Sequence, residues 1–173
     1  METEAPLTEL PPTGAETAAP ELSGAAAGGV VLRLGASRYA VPMADVAEVT
    51  AVPPVTRIPD APAWLSGVAN WRGRMLPVVD LRPLLGAGPL PLASSARLVV
   101  LARDEVVAGV VAEAVPGVYD GGLDDPEPAP PTVGVDTAAL VAGQVSDRHG
   151  PLAVLDAEAV LALRTRLDRR RHG

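Results

Sequence analysis

The histidines and serines of this chain offer little for catalysis. Only two His occur, His149 in a predicted turn and His172 near the end of the sequence, and no recognisable motif places a carboxylate partner beside either. A serine nucleophile needs an elbow such as G-x-S-x-G, and Ser66, which precedes Gly67, is the nearest approach to one. The sequence therefore predicts a protein that is not an enzyme and has no catalytic residues.

Metal and cofactor sites are as weakly indicated as catalytic ones. The acidic cluster DGGLDDPE, residues 120–127, lacks the spacing of a calcium loop and is interpreted as a solvated loop. The absence of Cys excludes thiolate metal sites and disulfides. The glycines of GVANWRG do not lead from a strand into a long helix, as a phosphate-binding loop requires. We expect no metal and no cofactor.

Composition narrows the class of protein further. A chain of 173 residues with 48% hydrophobic residues is long enough for one domain with a full core. A net charge of -7 without any Lys argues against nucleic-acid binding, which needs a basic face. The N-terminus does not resemble a signal peptide, and no apolar run reaches 18 residues. We expect a cytoplasmic protein that does not insert into membranes.

The two ends of the chain differ in charge from its middle. Residues 1–29 contain five Glu, no basic residue and only three Leu, which predicts a disordered acidic Ala/Pro-rich tail. The domain is predicted over residues 30–164. Residues 165–173 are predicted to form a basic C-terminal tail, whose arginines also suit the carbonyl end of a helix.

The middle of the chain follows the pattern of short strands. Apolar runs predict strands at 30–34 and 39–43, then at 68–71 and 75–79, with a turn at 72–74, whereas the Pro-rich stretch 51–62 predicts loop or edge structure. Asp80 is predicted to cap a short helix that contains Pro83 and ends at Gly86. ARLVVLARDEVVAGVVAEAV predicts a further strand, turn and strand, and Asp156 begins a last helix. Both Asp residues are thus structural.

An internal repeat organises these elements. Thirteen residues separate Gly67 from Asp80 and also Gly143 from Asp156, so a shift of 76 superposes GVANWRGRMLPVVDLRPLL on GQVSDRHGPLAVLDAEAVL. A shift of 69 places VPMADV on VVAEAV. We therefore predict two similar small barrels, with lobe one at roughly 30–86 and lobe two at roughly 95–164. The second copy lacks the Asn and the Trp of the Asn70, Trp71 and Arg72 segment, and these three residues are the better candidates for docking.

The segment VTRIPDAPAWLSGVANWRGRMLPVVDLRPLLG resembles the signature of the CheW family of chemotaxis coupling proteins. That pattern reads V-T-R-I-x-x-x-P-x-x-h-x-G-V-x-N-x-R-G-x-h-h-P-V-h-D-L-R, where h is apolar, and the resemblance extends over about residues 29–164. The in-register positions are Gly67, Asn70, Arg72, Gly73, Pro77, Asp80 and Arg82. The resemblance implies a mainly β fold of two packed SH3-like, five-stranded barrels with short helices, and an adaptor without catalysis.

The resemblance also implies partners and candidate docking residues. In that family the domain binds the regulatory domain of a CheA-type histidine kinase and the cytoplasmic tip of methyl-accepting chemoreceptors, so that receptor arrays control the kinase. Two alternatives stay open: an adaptor for surface motility or gene expression, and, more distantly, a double barrel that binds a small molecule or acts as an enzyme. The protein-binding residues predicted here are Val46, Glu48, Val49, Gly67, Asn70, Trp71, Arg72 and Gly73.

Two features depart from the family pattern or extend it. The family commonly has Leu where this chain has Trp71, and a minimal coupling protein has no counterpart of the acidic tail. The resemblance implies that Glu48 pairs with Arg72. For Trp64 and Trp71, core packing and a role as docking hot spots both fit their positions.

Overall fold

Ten strands form two five-stranded mixed sheets in the computed structural model, which describes residues 28–88, 93–129 and 135–170. Two helices follow in the second half, α1 (Val135–Ala138) and α2 (Ala157–Arg170). The strands are β1 (Gly29–Leu34), β2 (Ser37–Pro42), β3 (Val46–Ala51), β4 (Leu65–Trp71), β5 (Arg74–Val79), β6 (Arg97–Arg103), β7 (Val106–Ala112), β8 (Ala114–Tyr119), β9 (Val141–Asp147) and β10 (Gly150–Leu155). The mainly β fold predicted from the sequence is confirmed.

The two halves of the chain exchange hairpins between the sheets. The first sheet has the order β8-β1-β2-β10-β9 and the second the order β3-β6-β7-β5-β4. Each exchanged hairpin is held by a parallel pair, β2 with β10 and β7 with β5. The sheets are therefore not the contiguous lobes 30–86 and 95–164 predicted from the sequence, because the hydrophobic pattern of a hairpin does not specify which half it joins.

The repeat predicted from sequence spacing has a structural counterpart. Adding 76 to the bounds of β4 and β5, 65–71 and 74–79, gives 141–147 and 150–155, the bounds of β9 and β10. Each of these hairpins carries a register shift near its first strand's start, at Leu65/Gly67 and at the equivalent residues of β9. The two copies therefore fold alike at the level of backbone detail.

The paired glycines of the repeat are explained by close approach of the backbone. Thr56 and Val68 exchange backbone hydrogen bonds of 2.8 and 2.9 Å beside Gly67, and a Cβ on Gly67 would overlap the Thr56 carbonyl oxygen. Gly67 also has a φ of +145°, which L side chains rarely adopt. In the second copy, a Cβ on Gly143 would overlap the carbonyl oxygen of Glu127. Each glycine therefore lets a loop segment lie directly against an edge strand of its sheet.

The hydrophobic core has three parts. The largest part lies between the sheets and includes Val79, Leu101, Val110, Leu155 and Leu161, to which α2 contributes its buried face. Each sheet curves round an interior of its own, and we call the first sheet the first barrel and the second sheet the second barrel. A second part of the core fills the interior of the second barrel, and a third part fills the interior of the first barrel. Burying both faces of β6 and β7 explains why these strands are almost continuously apolar.

Two carboxylates, Asp45 and Glu113, lie where the chain passes from one sheet to the other. After β2, a 3-10 turn at Met43–Asp45 leads into β3, and Asp45, only 6% exposed, accepts bonds of 2.9 and 3.0 Å from Arg103. After β7, Glu113 accepts a 2.7 Å bond from Arg82 and a 3.1 Å bond from the backbone of Gly35. Hydrogen bonding to Asp45 raises the pKa of Arg103, so this charge is firmly held. Both pairs join elements of different halves.

Asp80 and Asp156, which were predicted to be structural, each accept a hydrogen bond that caps a local turn. Asp80, buried at 2% exposure, accepts a 2.9 Å hydrogen bond from the backbone of Arg82. The element that follows it is a 3-10 helix, Pro83–Leu85, ended by Gly86 in the left-handed region as predicted. Asp156 accepts a 3.0 Å bond from the backbone of Ala159 at the start of α2.

Both predicted tails differ in part from the structure. The first strand begins at Gly29, which the sequence placed in the acidic tail, and residues 1–27 lie outside the described part of the chain. At the other end, α2 continues to Arg170, so most of the predicted basic tail 165–173 is helical. The reason is that Leu163 and Leu167 follow one another at helical spacing, Leu163 in the core and Leu167 half-buried.

We predict that Gly67→Ala and Gly143→Ala each lower the free energy of unfolding by about 3 kcal/mol, because the added methyl group meets backbone that cannot yield. The control is Gly88→Ala, where a Cβ would have open space and the change should stay within about 0.5 kcal/mol. Urea unfolding followed by circular dichroism measures all three. Equal midpoints for the three variants would contradict the close-approach explanation.

We also predict an acid-sensitive contribution from Asp147. Hydrogen bonds of 2.7 and 2.8 Å from Arg38 hold the pKa of Asp147 well below its usual range, and the backbone of His149 adds a 2.7 Å bond. Because the folded-state pKa is the lower one, the stabilisation is present above the unfolded pKa of about 3.9 and is lost as the pH falls below it. The difference in urea midpoint between the native chain and Asp147→Asn should therefore shrink between about pH 5 and pH 2. A difference that stays constant over this range would be inconsistent with the linkage, and exposed Asp124→Asn serves as the control.

Candidate docking site

Three side chains close the second barrel at one exposed corner. The indole N–H of Trp71 donates a 2.7 Å hydrogen bond to Glu48 Oε2, and Arg72 Nη2 lies 3.1 Å from the same oxygen. The guanidinium carbon of Arg72 is 5.1 Å from the centre of the Trp71 ring, a cation–π contact. Glu48 lies on β3 and Trp71 on β4, the opposite edges of the second sheet, so these contacts join its two edges.

A tight turn fixes the position of Arg72. Arg72 and Gly73 have φ values of +50° and +76° and form the two-residue connection between β4 and β5. Positive φ at both central residues is typical of a type I′ hairpin turn, in which Gly is favoured at the second position. The side chain of Asn70 accepts a 3.0 Å bond from the backbone of Gly73 and holds the turn. Asn70 and Gly73 therefore hold the turn in the conformation that exposes the Arg72 side chain.

The structure brings together five of the eight predicted docking residues and separates three from the surface. Glu48, Asn70, Trp71, Arg72 and Gly73 lie at the corner. The other three are Val46, buried at 9% exposure in the core between the sheets, Val49, half-buried against that core, and Gly67, buried beside Thr56. Of these three, Val46 and Val49 belong to β3, the strand that also carries Glu48.

The corner is suited to binding through charge and hydrogen bonds. The side chain of Arg72 is 69% exposed and that of Glu48 30% exposed, so the guanidinium offers most of its N–H groups to solvent. A guanidinium presents a planar fork that fits a carboxylate. Glu48 Oε2, in contrast, is already engaged by two donors. The dominant feature presented outward is therefore a positioned cation beside an aromatic ring.

The remaining candidates for chemistry are scattered. His149 is exposed and accepts a 3.0 Å bond from Arg148, whereas Ser66 lies on β4. Within residues 28–88, 93–129 and 135–170, no group of three or more His, Asp or Glu residues could hold a metal ion. In the same part of the chain, no helix is long and apolar enough to span a membrane.

Sequence reasoning missed an exposed apolar residue near this corner. Met75 on β5 is 66% exposed and lines a groove of about 450 Å³ with Ile58, Pro62, Arg164 and Leu167. The signal was available in the alternation of β5, because Leu76 and Val78 point into the barrel and Met75 must therefore point outward.

We predict that Trp71→Phe and Glu48→Ala are energetically coupled. Phe keeps an aromatic ring under Arg72 but removes the indole N–H, so the substitution should cost about 1 kcal/mol, with a coupling of similar size in a double-mutant cycle. Urea unfolding of the two single variants and the double variant measures the coupling. The matched control replaces Glu48→Ala by Asp124→Ala, an exposed carboxylate in the loop after β8, and should be additive. Additivity of the first pair as well would exclude the hydrogen bond as a stabilising contact.

Comparison with known proteins agrees with this geometry. The CheW-like domain model matches residues 28–165. Protein PilI of Pseudomonas aeruginosa is 36% identical over 96 residues (56% of this chain and 54% of PilI), and protein FrzA of Myxococcus xanthus is 37% identical over 107 residues (62% and 66%). The alignments thus span about half and just under two thirds of these two relatives.

Two proteins named CheW align over more of their length. Chemotaxis protein CheW of Bacillus subtilis is 26% identical over 132 residues, which cover 76% of this chain and 85% of that protein. The crystal structure of the scaffolding protein TtCheW from Thermoanaerobacter tengcongensis superposes with a TM-score of 0.68 at 27% identity, covering 77% of this chain and 86% of that one. The family is one of non-enzymatic scaffolding proteins. The domain match, together with the shared double-sheet fold, shows that the chain belongs to the CheW-like domain family.

Proposed function

We propose that this protein is a coupling scaffold that binds the regulatory domain of a CheA-type histidine kinase and the cytoplasmic tip of methyl-accepting chemoreceptors. The observation that carries the proposal is the corner formed by Glu48, Trp71 and Arg72 on a CheW-like fold. We place the protein in the cytoplasm, recruited to membrane-associated receptor arrays. No chemistry is required of it, because coupling needs only two surfaces that bias one equilibrium.

The geometry supports docking at the corner in three ways. Arg72 is exposed yet held by an ion pair, a cation–π contact and a tight turn, so binding orders few additional groups. Trp and Arg are the residue types enriched at binding hot spots. The supporting residues Val46 and Val49 belong to the core between the sheets, which keeps the corner in a fixed position relative to both barrels.

A second candidate function is that of an adaptor in a non-flagellar chemosensory pathway for surface motility or gene expression. PilI and FrzA, which belong to non-flagellar pathways, are 36% and 37% identical to this chain, so the non-flagellar relatives are as similar to it as the probable chemotaxis protein CheW of Rhizobium etli, at 36%. Deletion of the gene separates the two candidates. Loss of swimming bias supports the first, and loss of surface movement or altered gene expression with normal swimming supports the second.

We predict that Arg72→Ala leaves the fold intact but weakens binding of the receptor tip at least about tenfold, or about 1.4 kcal/mol. The reason is that Arg72 is exposed and its loss removes the outward cation without opening the core. Titration calorimetry with a receptor-tip fragment, and kinase autophosphorylation in a reconstituted mixture, measure the effect.

The matched control is Arg74→Ala, an exposed arginine two residues away on β5. It should bind and activate as the native chain does. Native affinity and native kinase activity for Arg72→Ala would reject the assignment of the corner as the docking site. Failure of the native chain to bind either partner would reject the proposed function itself.

A further inference from the structure

The first barrel lacks the corner that closes the second. By the repeat, Gly117 occupies the position of Glu48, with a shift of 69, and Asp147 that of Trp71, with a shift of 76. Gly117 has no side chain, and nothing lies within 4 Å of where its Cβ would be. The carboxylate of Asp147 accepts hydrogen bonds of 2.7 and 2.8 Å from Arg38. No indole or carboxylate therefore joins Gly117 on β8 to the β9–β10 turn.

This end of the first barrel is therefore open, and we call the groove that lies here the mouth. The groove has a volume of about 790 Å³ and extends from Tyr119–Gly121 to the β9–β10 turn at Arg148 and His149. Its apolar lining includes Val31, which belongs to the interior of the first barrel, and Val118, which is 45% exposed. The equivalent space in the second barrel is occupied by the Trp71 side chain, packed on the barrel interior.

The mouth is lined by three arginines, Arg33, Arg38 and Arg148, and by two carboxylates, Asp120 and Asp147. Arg38 is paired with Asp147. The side chain of Arg33 is 52% exposed, and its contact with Glu113 is long, at 3.9 Å. Arg148 is exposed, and among the described residues no carboxylate lies within ion-pair distance of it. The lining therefore has an excess of one positive charge, and its two arginines without a close carboxylate, Arg33 and Arg148, suit an acidic segment with apolar side chains.

The chain supplies such a segment beside the mouth. Residues 1–27 contain five Glu, no Asp and no basic residue. They join the fold at Gly28, whose Cβ would lie 2.5 Å from the carbonyl oxygen of Tyr119, and Tyr119 lines the groove. The joining point is thus at one end of the mouth.

We propose that the acidic segment 1–27 docks in the mouth of the first barrel, with carboxylates of Glu16 and Glu21 against Arg33 and Arg148. The reach is sufficient, because Glu21 precedes Gly28 by seven residues, which span up to roughly 23 Å when extended. Arg33 lies four residues along β1 from Gly29, roughly 13 Å. Tethering gives the segment a high effective concentration, so an outside ligand of the mouth has to displace it.

Paramagnetic relaxation in the full chain tests this contact. The sequence has no Cys, so Thr17→Cys creates a single attachment point for a nitroxide label. We expect the amide signals of Asp147 and His149, at the end of the mouth away from Gly28, to be broadened selectively, and those of Asn70 and Gly73, at the closed corner, to be unaffected. The broadening should disappear in 1 M salt, where the screening length is about 3 Å.

Matched variants separate the contact from general charge effects. Arg33→Ser with Arg148→Ser, and independently Glu16→Gln with Glu21→Gln, should abolish the broadening, whereas Arg74→Ser should not. The Glu pair keeps the test valid if the Arg pair disturbs the fold. Uniform broadening, no broadening, or persistence in both double variants would overturn the proposal. So would broadening in a mixture of labelled chains with separate isotope-enriched chains, which would show that the segment occupies a second copy.

Discussion

The exchange of hairpins between the two sheets is the constraint on which the remaining structure depends. Glu48 on β3 and Trp71 on β4 can meet only because the β6–β7 hairpin of the other half lies between their strands and lets the sheet curve round. Neither half of the chain contains a complete five-stranded sheet. The geometry of the corner therefore requires both halves of the chain to be folded, and the crossing carboxylates Asp45 and Glu113 bind arginines at or just after the ends of other strands.

The two copies of the repeat share what packing demands and differ where their barrels open. Gly67 and Gly143 both accommodate a backbone that passes against them, and Asp80 and Asp156 both hold the turn after their hairpin. At the barrel ends the pattern changes. One end carries an indole, a carboxylate and a guanidinium in mutual contact, whereas the equivalent end has a glycine in place of the carboxylate and an aspartate turned aside. Shared positions therefore specify the scaffold, and copy-specific positions determine what each end can bind.

The strength of each local sequence pattern decided which strands and which contacts of the corner could be predicted. The hairpin β4–β5 was predicted from its apolar runs, whereas β9–β10 was indicated only by the repeat that superposes the two segments. The edge strands β3 and β8 were missed, since they are half exposed and follow crossings without Gly or Pro. The Glu48–Arg72 pair followed from family resemblance. The hydrogen bond from Trp71 to Glu48 had no local signal, because the two residues lie 23 positions apart and meet only through sheet closure.

The energetic cost of ordering explains why a corner of this design suits reversible coupling. An unrestrained arginine loses side-chain entropy of roughly 2 kcal/mol when it binds. Arg72 is restrained beforehand by Glu48 and by the face of Trp71, so much of that cost is met during folding. The exposed guanidinium remains partly solvated, so a charged hydrogen bond made through it contributes only about 1.5 kcal/mol. If a partner docks at the corner as proposed, the fixed fork gives specificity while affinity stays modest, because Val46 and Val49 are committed to the core and offer little apolar surface for burial.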